Sequence, residues 1–218
     1  MFEKLTNRLY DVIASVYIYN EYTGYKELEK LLVGLEEHYP SEQEFIKAVK
    51  KHYADEKKHY LMFRYYFKKR KCMPFKIDKT YGYVDLFVEH IFKKPIEELD
   101  HDELINDKDL FFKLCRLVMM TEFRGMRQVH TLLKNPLIKR NKALFKIFKV
   151  VERDEPSHCY PYQYWLEKYE SHTPQFQEKI TDLWIHYSLM LLKVPFLFFN
   201  LRLERMTAFY DEKELVTA

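Results

Sequence analysis

Apolar residues recur every three or four positions along most of this chain, the spacing that places them on one face of an α-helix. The pattern predicts a first helix over about residues 5–38, with an apolar stripe at residues 28–35. Ser41 and Glu44 then form the sequence of a capping box and predict a second helix that runs to about Lys71. Because the link between them is so short, the two helices are expected to lie antiparallel.

The apolar pattern loosens between about residues 73 and 107, where there is room for a short helix at residues 83–92. We interpret this stretch as a crossover connection. A third helix is predicted over about residues 108–133. Asn135-Pro136 then supplies an N-cap and a proline at the first helical position, which opens a fourth helix through about residue 170.

Thr173-Pro174 repeats that start signal and opens a C-terminal helix toward Arg205. The predicted fold class is therefore all-α: a four-helix bundle with a long crossover between helices 2 and 3 and an additional C-terminal helix. We expect a single domain over residues 1–218, with the core bundle at about 5–170 and the C-terminal helix at about 174–208.

The composition supports a folded helical chain and gives little information about partners. Only four glycines and eight prolines are present, which argues against an all-β chain with many turns. The apolar share of 47% argues against disorder, and a net charge of +3 is too balanced to predict a partner. Three cysteines without metal-binding spacing, and an N-terminus without the apolar run of a secretory signal, favour a cytoplasmic protein.

Two short motifs each occur twice in the chain. A Glu-x-x-Gly sequence begins at Glu21 and again 101 positions later at Glu122. An Asp-Glu-x-x-His sequence begins at Asp55 and again 99 positions later at Asp154. The chain is therefore interpreted as two copies of one unit, in which a helix with a single glutamate precedes a helix with Glu-x-x-His.

This repeat predicts a centre for two metal ions. Residues three apart share one face of a helix, so the Glu and His of each Asp-Glu-x-x-His motif can bind one ion together. The two single glutamates would bridge the ions, and four carboxylates neutralise two divalent cations. Carboxylates and histidines in this number on four helices are typical of a pair of iron or manganese ions in a bundle. The predicted ligands are Glu21, Glu56, His59, Glu122, Glu155 and His158.

Neighbouring residues support the prediction. Asp55 and Asp154 each precede a ligand glutamate, where each can accept a hydrogen bond from the histidine of the opposite motif. Gly24 and Gly125 lie three residues after the single glutamates, and we expect them to leave open space above the metals for dioxygen or substrate. Glu152, three residues before Glu155, has no twin in the first half and is expected to support the site without binding metal.

Two features qualify the repeat. Pro156 lies inside the second motif and removes a helix hydrogen bond, so the fourth helix is expected to kink there. The same motifs, taken one at a time, are also common as surface charges on helices. The register of both copies together favours the metal site.

These motifs make the chain similar to the ferritin-like di-iron carboxylate superfamily over about residues 5–170. The paired Asp-Glu-x-x-His motifs resemble those of the acyl-carrier desaturases and the bacterial multicomponent monooxygenases. The resemblance implies a ferritin-like bundle and six iron ligands, at the positions named above. Ferritins proper carry one Glu-x-x-His, whereas rubrerythrins and bacterioferritins carry two and remain possible comparisons. The chain has no rubredoxin-like cysteine pairs.

The function that this resemblance implies is an oxygen-dependent hydroxylase or related oxidase. Two iron ions would activate dioxygen to oxidise an organic, apolar substrate. The chain has no flavin or iron–sulfur motif, so a separate reductase or ferredoxin is expected as electron donor. The same ligands also accept manganese or a mixed iron–manganese pair. An oxygenase of this kind is expected to be a monomer or a homodimer.

Other functions remain open from the sequence. A ferritin- or rubrerythrin-like protein would oxidise iron or scavenge peroxide without an organic substrate, and a helical interaction protein would leave the ligands empty. The basic run at residues 68–71, mixed with aromatic residues, would suit nucleic acid as in the di-iron tRNA hydroxylases, or would simply complement a helix C-terminus. The apolar run at residues 189–199 would suit a core helix, a substrate channel or a membrane surface. Tyr17 and Tyr25 flank Glu21 as possible redox-active tyrosines or as core residues.

Overall fold

The computed structural model describes residues 2–212 and shows an all-α protein. Met1 and residues 213–218, which the predicted single domain includes, lie outside the described residues. No β-strand occurs within residues 2–212, where a single isolated bridge joins Phe75 and Arg205. The helices of this part of the chain are α1 Phe2–His38, α2 Gln43–Lys69, α3 Tyr83–Phe92, α4 His101–Asn106, α5 Lys108–Lys134, α6 Pro136–Arg140, α7 Lys142–Asp154, α8 Pro156–Lys168, α9 Phe176–Ser188 and α10 Val194–Phe199.

The first two helices are antiparallel neighbours, as the short link predicted. Asp11 near the start of α1 pairs with Arg70 just after α2, at 3.1 Å, while Glu36 near the end of α1 pairs with Lys50, at 2.5 Å. The predicted capping box was wrong. Helix α2 begins at Gln43 with Glu42 as N-cap, which places Ser41 one residue too early to reach the free N–H groups of the first turn.

The predicted fourth helix is divided into α6, α7 and α8. Asn135 caps α6 as predicted, because its side chain accepts a hydrogen bond from the N–H of Leu137. Asn141 follows α6 and caps α7, because its side chain accepts a hydrogen bond from the N–H of Leu144. This second helix start was not predicted, because the apolar spacing continues through it. Pro156 has no N–H to donate, so α7 ends at Asp154 and α8 begins at the proline. The predicted kink is therefore a break between two helices.

The crossover contains the predicted helix α3 and the unpredicted helix α4. Helix α4 has six residues, of which only Leu104 and Ile105 are buried, so it is too short to show a period. Its start is nevertheless encoded, because the Asp100 carboxylate accepts hydrogen bonds from the N–H groups of Asp102 and Glu103. Helix α3 packs against α9, and α4 packs against α1 and α5.

The C-terminal helix differs from the prediction at both ends. It begins at Phe176, capped by Gln175 and Glu178, and continues through a π-helical turn at residues 189–193 to Phe199. It does not extend to Arg205, because the Arg8 guanidinium donates to the carbonyls of Leu197, Phe198 and Asn200 and so satisfies the helix end.

Four apolar clusters fill the interior of residues 2–212, and a polar layer lies between the two largest. The α1, α2 and α5 helices, together with the α7–α8 pair, contribute to both clusters. One cluster includes Tyr10, Phe63, Phe67, Val129 and Phe148. The other includes Leu35, Phe45, Val49, Phe111 and Trp165. Along α2, α5 and the α7–α8 pair, the predicted ligands fall between the residues of the two clusters, whereas Glu21 on α1 lies between Ile18 and Tyr25 of the first cluster.

Candidate metal centre

The six predicted ligands lie together in this polar layer. Nδ1 of His59 is 3.2 Å from Oε2 of Glu21 and 3.7 Å from Oε1 of Glu56. Nδ1 of His158 is 3.4 Å from Oε1 of Glu56 and 3.7 Å from Oε2 of Glu122. Oε2 of Glu155 is 3.9 Å from the same His158 nitrogen. Both histidines therefore direct Nδ1 toward the carboxylates.

The opposite nitrogen of each histidine faces an aspartate of the other motif. Nε2 of His59 lies 3.1 Å from Oδ2 of Asp154, and Nε2 of His158 lies 3.4 Å from Oδ2 of Asp55. These are the cross-motif contacts that the sequence predicted. A carboxylate on Nε2 fixes the tautomer in which Nδ1 carries a free lone pair, which is the form that binds a metal ion.

Lysine side chains hold the two aspartates in their ionised form. Lys58 lies between them and donates to both, at 2.7 Å to Asp154, while Lys51 donates to Asp55. Burial raises the pKa of Asp154, but hydrogen bonds from Arg153, Lys58 and His59 outweigh it and lower the pKa to about 2. The pKa of Asp55 is likewise held well below its usual range, because contacts with His158 and both lysines outweigh burial.

The sequence analysis missed His52, which the structure places in the same layer. Nε2 of His52 lies 3.5 Å from Oε1 of Glu122 and 3.9 Å from Oε1 of Glu56, and its ring stacks on His158 with centroids 4.2 Å apart. His52 lies four residues before Glu56 on α2, so helical spacing could have found it. A search for repeated pairs could not, because the matching position in the second copy is Val151.

Burial and crowding shift the pKa values of the buried carboxylates. Burial raises the pKa of Glu56 to about 7, with a further contribution from the neighbouring Glu21. Burial and the charges of Glu122 and Glu56 raise the pKa of Glu155 well above its usual value. The pKa of Glu122 is lowered, because His52 and His158 outweigh its burial.

The pKa values of His59 and His158 are also raised. Burial lowers the pKa of His59, but Glu21 and Glu56 outweigh it and raise the pKa to about 11. Burial acts the same way on His158, where Asp55, Glu122 and Glu56 raise the pKa to about 9. Without a cation, the layer therefore favours protons on His59 and His158 and on the crowded carboxyls of Glu56 and Glu155.

The donor atoms fit a pair of divalent cations. Within residues 2–212, Nε2 of His52, Nδ1 of His158 and Oε2 of Glu155 are buried and have no hydrogen-bond partner. The donor atoms of Glu21, Glu56 and His59 lie within 4.8 Å of one another, as do those of His52, Glu56, Glu122 and His158. Glu56 belongs to both groups, and Glu155 lies at the edge of the second.

Both predicted glycines lie against the carboxylates of this layer. A methyl group on Gly24 would lie 2.9 Å from Oε2 of Glu56, and one on Gly125 would lie 3.6 Å from Oε1 of Glu155. The two glycines flank a cavity of about 120 Å³ that is also bordered by Tyr17. Four glutamates line its floor and apolar residues of the C-terminal helix form its opposite wall, namely Glu21, Glu56, Glu122, Glu155, Leu189, Met190 and Val194.

A second cavity, of about 60 Å³, adjoins the first and shares Gly24, Val84, Thr121 and Glu122 with it. Its lining is mostly apolar and comes from α1, α5 and the crossover with α3, with His52 of α2 and Glu122 on the side of the polar layer. The apolar residues are Leu28, Leu31, Val84, Val88, Ile96, Leu99, Leu114, Leu117 and Val118. An ion pair between His101 and Glu27, at 3.1 Å, lies at its edge.

Glu152 does not support the site, contrary to the prediction. Its carboxylate pairs with Lys149 at 2.7 Å and with His130 at 3.0 Å, on the outside of the fold. Both partners are cationic or can become so, and they hold the carboxylate toward solvent. The spacing of three residues before Glu155 does not bring it inward, although the helical turn between them is intact and the Glu155 N–H still donates to the Val151 carbonyl. The contacts with Lys149 and His130 hold the Glu152 carboxylate outside.

The remaining sequence features lie in ordinary surroundings. Tyr25 packs edge-to-face on Tyr22 and Tyr53 within an aromatic group. In the basic run, Lys68 lies over the ring of Phe209, and Arg70 pairs with Asp11. These cations are used within the chain, which favours the helix C-terminus interpretation of the run.

Comparisons with known proteins give no relative. No family model, no curated protein and no solved structure matches this chain. Any functional assignment therefore rests on the geometry of the site itself.

Proposed function

We propose that the protein is a non-haem di-iron oxygenase that hydroxylates or otherwise oxidises an apolar organic substrate within a ferritin-like four-helix bundle. The observation that carries the proposal is the orientation of His59 and His158. Each directs Nδ1 at buried glutamates and Nε2 at an aspartate from the opposite motif. A purely structural polar layer does not require that both rings have the same orientation.

The donor atoms form two groups, and each group would hold one of the two ions. Glu21, Glu56 and His59 would hold one ion, and Glu122 and His158 would hold the other, with Glu56 able to reach both. Glu155 and His52 lie beside the second ion's ligands and complete its surroundings. A pair of iron ions in such a site supplies dioxygen activation and oxidising power for C–H bonds.

The cavity beside the glutamates supports an apolar substrate. Its wall on the side of the C-terminal helix is apolar, and the adjoining cavity continues the apolar surface away from the glutamates. Burial there would stabilise the binding of a chain of methylene groups, whereas a charged group would lie against the carboxylates. The chain therefore excludes water beside the site and orients an apolar substrate toward the glutamates.

Tyr17 contributes a neutral hydroxyl to this cavity. Its hydroxyl is buried, and it has no hydrogen-bond partner within the described part of the chain. Burial, with the charges of Glu155 and Glu21, raises the pKa of Tyr17 well above its usual value, so the hydroxyl keeps its proton. It can therefore donate a hydrogen bond to an oxygen atom of a substrate or product in this cavity. Electrons would come from a separate ferredoxin or reductase.

The test combines the protein loaded with ferrous iron, a chemical or protein reductant and a panel of medium-chain fatty acids and alkanes under ¹⁸O₂. The proposal predicts a product that carries one ¹⁸O atom, and it predicts no product for Glu56→Gln. Glu152→Gln is the matched control, because this carboxylate lies outside the site, and it should behave as the wild type. Turnover with iron and peroxide alone, without an organic product, would instead support the ferritin- or rubrerythrin-like function. Oxidation of tRNA alone would support the nucleic-acid alternative.

A further inference from the structure

We propose that the outward face of the C-terminal helix docks on the surface of an anionic lipid bilayer. We call this surface the outer face. Its large apolar and aromatic side chains are all exposed, and Phe176, Leu191 and Phe199 are 79%, 68% and 74% exposed. The outer face consists of Phe176, Ile180, Leu183, Trp184, Tyr187, Leu191, Leu192, Phe196 and Phe199. A contiguous apolar surface of this extent is rare on a protein that meets only water, and it marks an interaction surface.

The two acidic residues in the first half of this helix face the protein, whereas on a helix at a water-soluble surface such residues face water. Glu178 is buried and pairs with Arg116 at 3.0 Å. Asp182 is buried and accepts hydrogen bonds from Arg124 and Tyr83. Rolling the helix to hide its apolar side would break both buried ion pairs, so the outer face is held toward the surroundings.

Basic residues lie at both ends of the outer face, whereas the carboxylates of Asp78 and Glu89 lie near Lys193 in the second half of the helix. The two acidic residues of the helix, Glu178 and Asp182, are both buried, so the helix presents no acidic side chain to solvent. Lys179 is exposed near its start and lines a surface recess with Arg127 of α5. Arg202 is exposed just past its end. Basic residues beside an apolar helix face strengthen binding to anionic lipids.

The same charges disfavour a second copy of the chain as the occupant. In an antiparallel pair of C-terminal helices, Lys179 and Arg127 of one copy would approach Arg202 of the other, and like charges would meet at both ends. Aromatic residues, among them Trp184 and Tyr187, also suit the boundary between headgroups and acyl chains.

The helix lies on the bilayer and does not cross it. Residues Phe176–Phe199 are long and apolar enough to span a membrane by length and composition, with a mean hydropathy of 1.3 in the most apolar 18-residue window. However, the ion pairs of Glu178 and Asp182 hold the first half of the helix against α5. An interfacial position buries the outer face and leaves these pairs intact.

Docking would place the candidate site close to the lipid. The inner side of the same helix, at Leu189, Met190 and Val194, forms one wall of the cavity above the glutamates. A π-helical turn at residues 189–193 lies at this point, and such turns are frequent at functional sites. If the proposed function holds, the substrate class is then a membrane-resident acyl lipid. The substrate class rests on the proposed function, whereas the docking does not.

The test is co-flotation of the full chain with vesicles of phosphatidylcholine that contain about one third phosphatidylglycerol. We expect the wild type to float with these vesicles and Trp184 emission to shift to the blue. The variant Trp184→Gln/Leu191→Gln/Phe199→Gln should bind at least about tenfold more weakly, because three exposed apolar contacts are lost. Val33→Gln is the matched control, since Val33 is 62% exposed on α1, away from the outer face, and it should bind as the wild type.

Charge and folding are tested separately. Lys179→Glu/Arg202→Glu should also weaken binding to the anionic vesicles, and circular dichroism should show native helix content for every variant. Equal binding of the wild type to pure phosphatidylcholine would overturn the anionic part of the proposal. Absence of flotation, with a dimer that the triple variant abolishes, would show that a second copy is the occupant. Flotation needs neither metal nor turnover, so its failure is distinct from failure of the oxygenase proposal.

Discussion

Oδ2 of Asp154 lies 3.1 Å from Nε2 of His59, a residue 95 positions earlier in the chain. The reciprocal pair, Asp55 and His158, is 3.4 Å apart and separated by 103 positions. Each half of the sequence therefore orients the imidazole of the other half. The two copies of the motif form one site only when α2 and α8 lie side by side.

The first prediction concerns Asp154→Asn. The amide can still accept a hydrogen bond from His59, but it loses the negative charge that makes the imidazole a stronger ligand. We expect the affinity for ferrous iron to fall about 10- to 100-fold, measured by competition with a chelator. Glu152→Gln removes a carboxylate two residues away that faces His130 and Lys149, and its affinity should be unchanged. Equal affinities for both variants would show that Asp154 does not orient a metal ligand.

The second prediction contrasts Gly24→Ala with Gly125→Ala. Alanine favours a helix by about 1 kcal/mol over glycine, so both changes gain helix propensity. The new methyl group at position 24 would lie 2.9 Å from Glu56 and displace its carboxylate, whereas at position 125 the contact with Glu155 is an ordinary 3.6 Å.

We therefore expect Gly125→Ala to raise the melting temperature and keep both metal ions. Gly24→Ala should bind iron more weakly, because Glu56 reaches both groups of donor atoms. Thermal unfolding and metal content of the two variants, prepared in parallel, test this. The reverse order of metal affinity would contradict the placement of Glu56 between the ions.

The third prediction concerns His52, the residue that the sequence analysis missed. His52→Phe keeps a ring stacked on His158 but removes the nitrogen that faces Glu122. We expect one of the two ions to bind more weakly and the spectrum of the metal-loaded protein to change. His130→Phe, at an exposed histidine, serves as the control. An unchanged spectrum and two ions of unchanged affinity would show that His52 lies outside the metal's surroundings.

The fourth prediction is a pH dependence of stability that is independent of the metal site. Burial raises the pKa of Asp85 to about 6, and the Tyr19 hydroxyl donates to it at 3.1 Å. A carboxyl whose pKa rises on folding favours the folded state while it is protonated, and this stability is lost as the pH rises from about 4 through about 6. Asparagine stays neutral and can accept the same hydrogen bond.

Asp85→Asn should therefore have little effect on the free energy of unfolding near pH 4. Near pH 8 it should stabilise the protein by about 1–3 kcal/mol, since each unit of pKa shift corresponds to about 1.4 kcal/mol. Urea unfolding of both proteins at the two pH values measures the difference. A stability difference that does not change between them would mean that Asp85 is not buried as an acid.

The sequence predicted the elements whose signals are local. Helical spacing gave α1, α2, α3 and α5, and Asn135-Pro136 gave the start of α6. That the six predicted ligands lie together was also predictable, because a spacing of three residues on a helix determines which side chains share a face. The contacts between the histidine of one motif and the aspartate of the other were predictable as well, because each aspartate directly precedes a predicted ligand glutamate.

Other features depend on tertiary contacts and were therefore missed. The end of the C-terminal helix is set by Arg8, 190 residues away from its partner Phe198. The direction in which that helix faces is set by Arg116 and Arg124, which hold its acidic residues inside. Glu152 shows the opposite error, since its spacing predicted an inward side chain, whereas contacts with Lys149 and His130 hold the carboxylate outside.

The most direct test of the central claim is the metal content of the purified protein after reconstitution with ferrous iron, beside Glu56→Ala, His158→Ala and Glu152→Ala. The dinuclear site predicts about two ions per chain for the wild type and for Glu152→Ala. It predicts loss of both ions in Glu56→Ala, because that carboxylate reaches both groups of donors, and loss of at least one in His158→Ala. A wild-type protein that binds no metal, or one whose metal content is the same in all three variants, would contradict the account.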